Sequence, residues 1–155
     1  MATEIERKFL VIGDGWRAQA DGGVRYRQGY LGSAPSCSIR VRVDGERAWL
    51  NIKSATVGVS RSEYEYPIPL ADGERILAEL CLRPIIEKVR YRLTHAGSRW
   101  EIDCFEGANA GLVVAEIELD DPDQPFERPP WLGEEVSHDP RYYNAALVEH
   151  PFSTW

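Results

Sequence analysis

Hydrophobic and polar residues alternate along most of this chain with a period of two, the period at which successive side chains of a strand point to opposite faces. The first such run, Thr3 to Ile12, puts Ile5, Phe9 and Val11 on one face and Glu4, Glu6 and Lys8 on the other. It stops at Gly13-Asp14-Gly15, after which a short helical turn is expected. Gly22-Gly23 opens a second run, Val24 to Leu31, which ends at the loop residues Gly32 to Ser36. Cys37 to Val43 and Arg47 to Ser54 flank Asp44-Gly45-Glu46, the pattern of a hairpin. Arg61 to Ile68 follows, with Pro67 and Pro69 at its end, where a missing amide donor is tolerated.

The period then changes. Ile76, Leu77, Leu80 and Cys81, placed before Pro84, predict a helix over Asp72 to Leu82 with Asp72 as its cap. Ile85 to Thr94, Arg99 to Phe105 and Leu112 to Leu119 return to alternation and bring the total to about eight strands. From Asp120 onward loop residues dominate, and only Arg141 to Glu149 has helical spacing.

The polar face is sorted by sign. Glu4 and Glu6 are followed by Arg40 and Arg42, Lys53, Glu63 and Glu65, Lys88, Arg90 and Arg92, and Glu116 and Glu118, mostly two residues apart. A solvated sheet needs a polar face but gives no reason for such grouping. Hairpin-linked strands with a charged side predict a mainly β (α+β) fold. The expected form is a closed eight-stranded antiparallel β-barrel with a few flanking helices, formed by one domain over 1–155.

Composition narrows the partners. The chain has 155 residues, 43% hydrophobic and 28% charged, as in an ordinary soluble domain. With 25 acidic against 18 basic residues the net charge is −7, which argues against bulk nucleic-acid binding while leaving room for a locally basic wall. Cys37, Cys81 and Cys104 are odd in number and widely spaced, which speaks against a disulfide framework or a zinc site and for a cytoplasmic location. No apolar run approaches about 20 residues and the start is charged, so neither a signal peptide nor a membrane partner is expected. There is no GxxxxGK[ST] loop.

The two signs of charge suggest a chemistry. Glu4, Glu6, Glu63, Glu65, Asp103, Glu116 and Glu118 are an all-oxygen set, suited to Mg²⁺ or Mn²⁺ over softer metals. Lys8, Arg40, Arg42, Lys53, Lys88 and Arg90 are candidate ligands of a polyanion, because arginine forks match phosphate oxygens and lysines add point charge. A small-molecule triphosphate with a divalent cation satisfies both sets. Lys88 is the candidate to protonate the leaving phosphate, since burial among cations lowers a lysine pKa. Tyr30 is its candidate assistant, beside the reading of an ordinary core tyrosine. His95, His138 and His150 read as surface residues. Tyr26, Trp49, Tyr64, Tyr66, Trp100 and Phe105 read as packing residues of the core or barrel exterior. Arg25, Arg27 and Arg92 are further candidates for the interior.

Glu4-Ile5-Glu6-Arg7-Lys8 resembles the ExExK signature of the CYTH domain, or triphosphate tunnel metalloenzyme, superfamily. Arg40-Val41-Arg42, Asn51-Ile52-Lys53, Glu63-Tyr64-Glu65, Lys88-Val89-Arg90, Trp100 to Asp103 and Glu116-Ile117-Glu118 resemble its later motifs in the same order, over essentially the whole chain. The resemblance implies an eight-stranded tunnel and metal-dependent turnover of a triphosphate. It assigns metal binding to Glu4, Glu6, Glu116 and Glu118 first, then to Glu63, Glu65 and Asp103. Gly133 to Val136 and Arg141 to Asn144 resemble the C-terminal signature of small bacterial members, with Asn144 and Arg141 expected to close one end. Hydrolysis of inorganic tripolyphosphate to pyrophosphate and phosphate is the expected activity. Adenylate cyclase, thiamine triphosphatase and a non-catalytic polyphosphate-binding module stay open beside it, although the histidine-phenylalanine pair that the resemblance associates with cyclases is missing. A homodimer also stays open.

Overall fold

A computed structural model describes residues 3–32 and 35–155, so Ser33 and Ala34 of the expected Gly32 to Ser36 loop lie outside the described residues. Eight strands form the ring: β1 (Thr3–Val11), β2 (Val24–Tyr30), β3 (Cys37–Val43), β4 (Ala48–Ser54), β5 (Ser60–Ile68), β6 (Ile86–His95), β7 (Ser98–Phe105) and β8 (Val113–Glu118). Their order is β5-β4-β3-β2-β6-β7-β8-β1, and antiparallel pairing of β1 with β5 closes it. The expected barrel is therefore present, with strand ends within a few residues of the alternation limits.

One strand escapes the alternation pattern. β9 (Leu132–Glu135) adds to β1, and its four residues are too short for a period to register within a Pro- and Gly-rich stretch. β1 needs it. Thr3, Glu4 and Ile5 pair with β5, whereas Phe9 and Val11 pair with β9, so one edge of β1 is shared between two strands in succession. The opposite edge carries β8 from Glu6 to Leu10.

The helices also differ in their limits. α1 runs Leu70–Glu79, beginning after Pro69, so Asp72 sits inside the first turn and does not cap it. α2 is Asn144–Glu149; residues 140–142 form a separate 3-10 turn, in which the Asp139 carboxylate accepts from the Arg141 amide. The turn expected after β1 is a 3-10 helix, Gly15–Gln19, anchored by buried Trp16.

Apolar packing lies outside and at one end of the ring. Phe9, Trp100, Ile117 and Trp131 form a cluster on the outer face of β1, β7 and β8, and Ile5 packs on it half-buried. Trp100 meets Trp131 edge-on at 5.4 Å and Phe9 at 5.8 Å. Tyr30, Ile86, Phe105 and Val114, which lie at or next to strand ends, pack with Leu147 and Val148 of α2. That cluster seals one mouth. The third cluster is α1 lying on β3 and β4 through Leu77, Val41, Val43 and Ala48.

α1 comes that close because of one glycine. A Cβ on Gly73 would stand 2.5 Å from the Ala48 Cβ and 3.2 Å from the Val43 Cγ2. Alanine would gain about 1 kcal/mol of helix propensity, but overpacking typically costs about 1–3 kcal/mol. Gly73→Ala is therefore expected to lower stability despite its helical preference, read as a lower urea midpoint at unchanged m; a raised midpoint would mean that α1 is not seated on Ala48.

Candidate active site

Alternate residues of every ring strand point inward, and the register fixes who faces whom. Arg40 lies opposite Tyr30 and Asn51, Arg42 opposite Gln28 and Trp49, Lys88 opposite Tyr26, and Arg90 opposite Asp103. On the other side Glu6 lies opposite Glu118, Lys8 opposite Glu116, and Glu4 opposite Arg61. All of these but Gln28, Asn51 and Asp103 line a cavity of about 640 Å³.

The basic side is built around one anion. Lys88 Nζ donates to Asp103 Oδ2 at 2.8 Å, while Arg90 Nε and Nη2 donate to Oδ1 and Oδ2 at 2.8 and 2.9 Å. Burial opposes the charge on Asp103, but Arg90 and Lys88 outweigh it and hold the carboxyl well below the usual range. Both oxygens accept from this wall, and Asp103 is 1% exposed. Asp103, expected in the metal-binding set, here faces the basic wall: it shares the alternation of Glu101, but register sets it opposite Arg90.

Lys88 is 1% exposed, and burial pushes its pKa down to about 7, with Arg90 and Arg42 pushing the same way against Asp103. Its Nζ also donates to Asn144 Oδ1 at 3.0 Å, and Gln28 Nε2 donates to the same oxygen at 2.8 Å. Arg42 Nε in turn donates to Gln28 Oε1 at 3.1 Å. Burial, then Arg40 and Arg90, lower the Arg42 pKa to about 10. Arg40 Nε is buried with no hydrogen-bond partner among the described residues. An interior this rich in cations, with a donor left open, suits a polyanion.

The acidic side is less settled. Lys53 Nζ joins Glu4 at 3.1 Å to Glu63 at 3.0 Å, and Glu65 accepts from Asn51 Nδ2 at 2.7 Å. Burial raises Glu6 to about 8, and Glu116 and Glu4 add repulsion. Burial and the charges of Glu4 and Glu101 also raise Glu118. Glu116 is pulled up by burial too, yet Lys8 and Arg90 hold it well below its ordinary value. Glu6 and Glu118 are thus carboxylates set directly across from each other with too little positive charge, and their oxygen donors fit a hard divalent cation. Among the described residues no three carboxylates converge into a ready cage.

Most expected site residues line the cavity: Glu4, Glu6, Lys8, Arg40, Arg42, Lys53, Glu63, Glu65, Lys88, Arg90, Glu116, Glu118 and Tyr30. Tyr30 belongs equally to the apolar end cluster, so both of its readings have a footing. Arg92 also faces inward and donates to the Tyr26 hydroxyl at 3.0 Å. Arg25 and Arg27 do not; they point outward to Glu106 and Glu74. Tyr26 and Trp49 were expected as packing residues, but they line the cavity, and Arg42 lies 4.8 Å above the Tyr26 ring. Asn144 does close an end, whereas Arg141 pairs with Asp139 at the surface. Gln28, Asn51, Arg61, Glu101 and Tyr143 are interior residues that charge grouping alone passes over. Strand parity marks four of them, since Gln28 shares it with Tyr30, Arg61 with Glu63, Asn51 with Lys53 and Glu101 with Asp103.

The CYTH domain family model matches residues 2–143. An inorganic triphosphatase of Acetivibrio thermocellus is 47% identical over 155 residues, covering 100% of this chain and 99% of that protein. An inorganic triphosphatase of Nitrosomonas europaea is 40% identical over 153 residues, 94% of this chain and 97% of that protein. A crystal structure of an inorganic triphosphatase superposes with a TM-score of 0.67 at 37% identity, covering 96% of this chain and 95% of that one.

The position of Asp103 makes a testable distinction. Asp103→Asn leaves Arg90 and Lys88 buried without their anion, a change of the kind that costs about 3–5 kcal/mol. Its depressed pKa contributes stability above the unfolded value near 3.9, and that stability is lost as pH falls through the native value. Denaturant melts should therefore show a large loss at neutral pH that shrinks in strong acid; a stable variant with weakened metal binding would return Asp103 to the metal ligands.

Proposed function

The chain belongs to the CYTH domain family, and we propose that it hydrolyses inorganic triphosphate to pyrophosphate and phosphate with Mg²⁺ or Mn²⁺, as one tunnel domain over 1–155. The observation that carries this reading is the pairing of a basic and an acidic wall within one cavity whose far mouth is sealed by Tyr30, Ile86, Phe105 and the Leu147-Val148 pair. The names borne by the Acetivibrio and Nitrosomonas relatives support the same substrate.

In this reading Arg40, Arg42, Arg90, Lys8 and Lys53 hold the phosphate oxygens, with the open Arg40 Nε as one donor already directed to no protein group. A divalent cation held by Glu4, Glu6, Glu116 and Glu118, with Glu63 and Glu65 beside them, would neutralise the phosphates and make the attacking water more acidic. Water attacks a terminal phosphorus in line, the bond to the bridging oxygen breaks, and that oxygen leaves with pyrophosphate. Lys88, poised near neutrality, donates a proton to the departing oxygen while Asp103 and Asn144 hold its Nζ. Tyr30 supports the phosphate end beside Arg40. The charge of the interior favours a small-molecule partner over nucleic acid. No described helix is long and apolar enough to cross a membrane, and a cytoplasmic site of action suits the free cysteines.

A phosphate-release assay over tripolyphosphate, ATP, thiamine triphosphate and pyrophosphate tests this. Tripolyphosphate should be the preferred substrate with Mg²⁺ or Mn²⁺, activity should vanish in excess chelator, and ATP should give no cyclic AMP. Full activity in chelator or cyclic AMP formation would overturn it.

Glu6 provides a second test. Its pKa of about 8 lies above the unfolded value of roughly 4.3, so the metal-free protein should lose stability as pH rises through that interval. Glu6→Gln should abolish most of that loss and raise the apo-protein melting temperature at pH 8, while turnover falls by orders of magnitude. A variant that unfolds without metal yet keeps its activity would make Glu6 structural.

A further inference from the structure

Arg61 belongs to neither wall. It enters at the β1–β5 seam opposite Glu4, on the same face of β5 as Glu63 and Glu65, and lines the cavity. Its Nη2 stands 3.7 Å from Glu6 Oε1 and 3.8 Å from Glu4 Oε1. Both separations exceed hydrogen-bond reach, so the fork is held near two carboxylates without committing a donor to either. Lys53 differs, since its Nζ is bonded to Glu4 and Glu63 at 3.1 and 3.0 Å.

The other support of Arg61 is aromatic. Its guanidinium carbon lies 5.4 Å from the centre of the Tyr143 ring, and Lys8 Nζ lies 5.6 Å from the same ring. Tyr143 is fixed in place, because its hydroxyl donates to the Ser137 carbonyl at 2.6 Å and accepts from the Gly58 amide at 3.0 Å. A guanidinium resting on an immobile ring can turn its edge without losing that contact.

We infer that Arg61 is a further substrate-binding residue that works by exchange. With no divalent cation bound, its guanidinium adds to Lys53 part of the positive charge that Glu4 and Glu6 draw. When the cation and inorganic triphosphate enter, it releases the two carboxylates and turns its fork onto a phosphate group at the acidic side. A divalent cation seated on Glu4 and Glu6 would repel the guanidinium beside them, and the released fork matches phosphate oxygens two at a time. The inference rests on the triphosphatase reading above.

Exchange predicts effects of opposite sign. In calorimetric titration of the triphosphate-free protein with Mn²⁺ alone, Arg61→Ala should bind the metal several-fold more tightly than wild type, because a competitor is gone. For triphosphate with Mn²⁺, kcat/KM of the same variant should fall about tenfold to a hundredfold, the range for one charged hydrogen-bonding partner. Arg61→Lys keeps charge but loses the fork, so its Mn²⁺ affinity should stay near wild type while kcat/KM still falls. If Arg61→Ala does not fold, Arg61→Gln carries the same two measurements. Unchanged or weaker Mn²⁺ binding, or unchanged kcat/KM, would overturn the exchange. Wild-type protein that releases no phosphate from triphosphate would instead overturn the triphosphatase reading, and the Mn²⁺ titration would still decide whether Arg61 competes.

Discussion

Asp103 is the anion on which the basic wall rests. Taking a guanidinium and an ammonium out of water costs several kcal/mol each unless the lost solvation is replaced. Asp103 replaces it for Arg90 and Lys88 together, with three hydrogen bonds between 2.8 and 2.9 Å. The wall is therefore stable without being neutral. One carboxylate serves two cations, while among the described residues Arg42 is held by the neutral Gln28 oxygen and the Tyr26 face. The remaining positive charge is the attraction that a phosphate chain would meet.

The C-terminal segment hydrogen-bonds to this wall through the Asn144 side chain. Asn144 Oδ1 accepts from both Lys88 and Gln28, and Gln28 passes the connection to Arg42. The Tyr142 carbonyl adds a bond from Lys8 Nζ at 3.2 Å, so three interior groups depend on how residues 142–144 are seated. That seating comes from Leu147 and Val148 in the apolar cluster at the sealed mouth. Apolar packing at one end thus sets the orientation of the charged groups inside, although no charged residue belongs to that cluster.

Much of this could be read from alternation. Glu4, Glu6 and Lys8 point inward because Phe9 and Ile5 on the opposite parity have a core to join, and the same argument places Arg40 and Arg42 against buried Val41 and Val43. Where the reading fell short, the cause lies in pairing between strands. Asp103 has the parity of an interior ligand, but only the β6–β7 register sets it against Arg90. Arg25 and Arg27 have the parity of the exterior once Tyr26 and Gln28 are seen to face inward, which Gly29 obscured. Gly29 is itself explained by contact across layers, since a Cβ there would stand 2.6 Å from the Cys81 sulfur. β9 was hidden because its partner, the end of β1, becomes available only after β5 has turned away.

The β1–β5 seam joins fold and chemistry most directly. Its pairing spans only Thr3, Glu4 and Ile5 against Ser60, Arg61 and Ser62, extended by the Glu6 amide donating to the Val59 carbonyl at 2.9 Å. Neighbouring seams are longer, such as the six paired positions of β4 with β5. What the short seam lacks in ladder it recovers in charge, through Lys53 between Glu4 and Glu63 and Arg61 beside Glu4 and Glu6. Glu4 and Glu6, proposed above to hold a metal, therefore also draw the ring closed. Protein cations hold that position in the structure described, and a divalent cation would bring the same sign of charge to the same place. Closure of the barrel and loading of the site thus draw on one electrostatic requirement, that the acidic side of the seam be given positive charge.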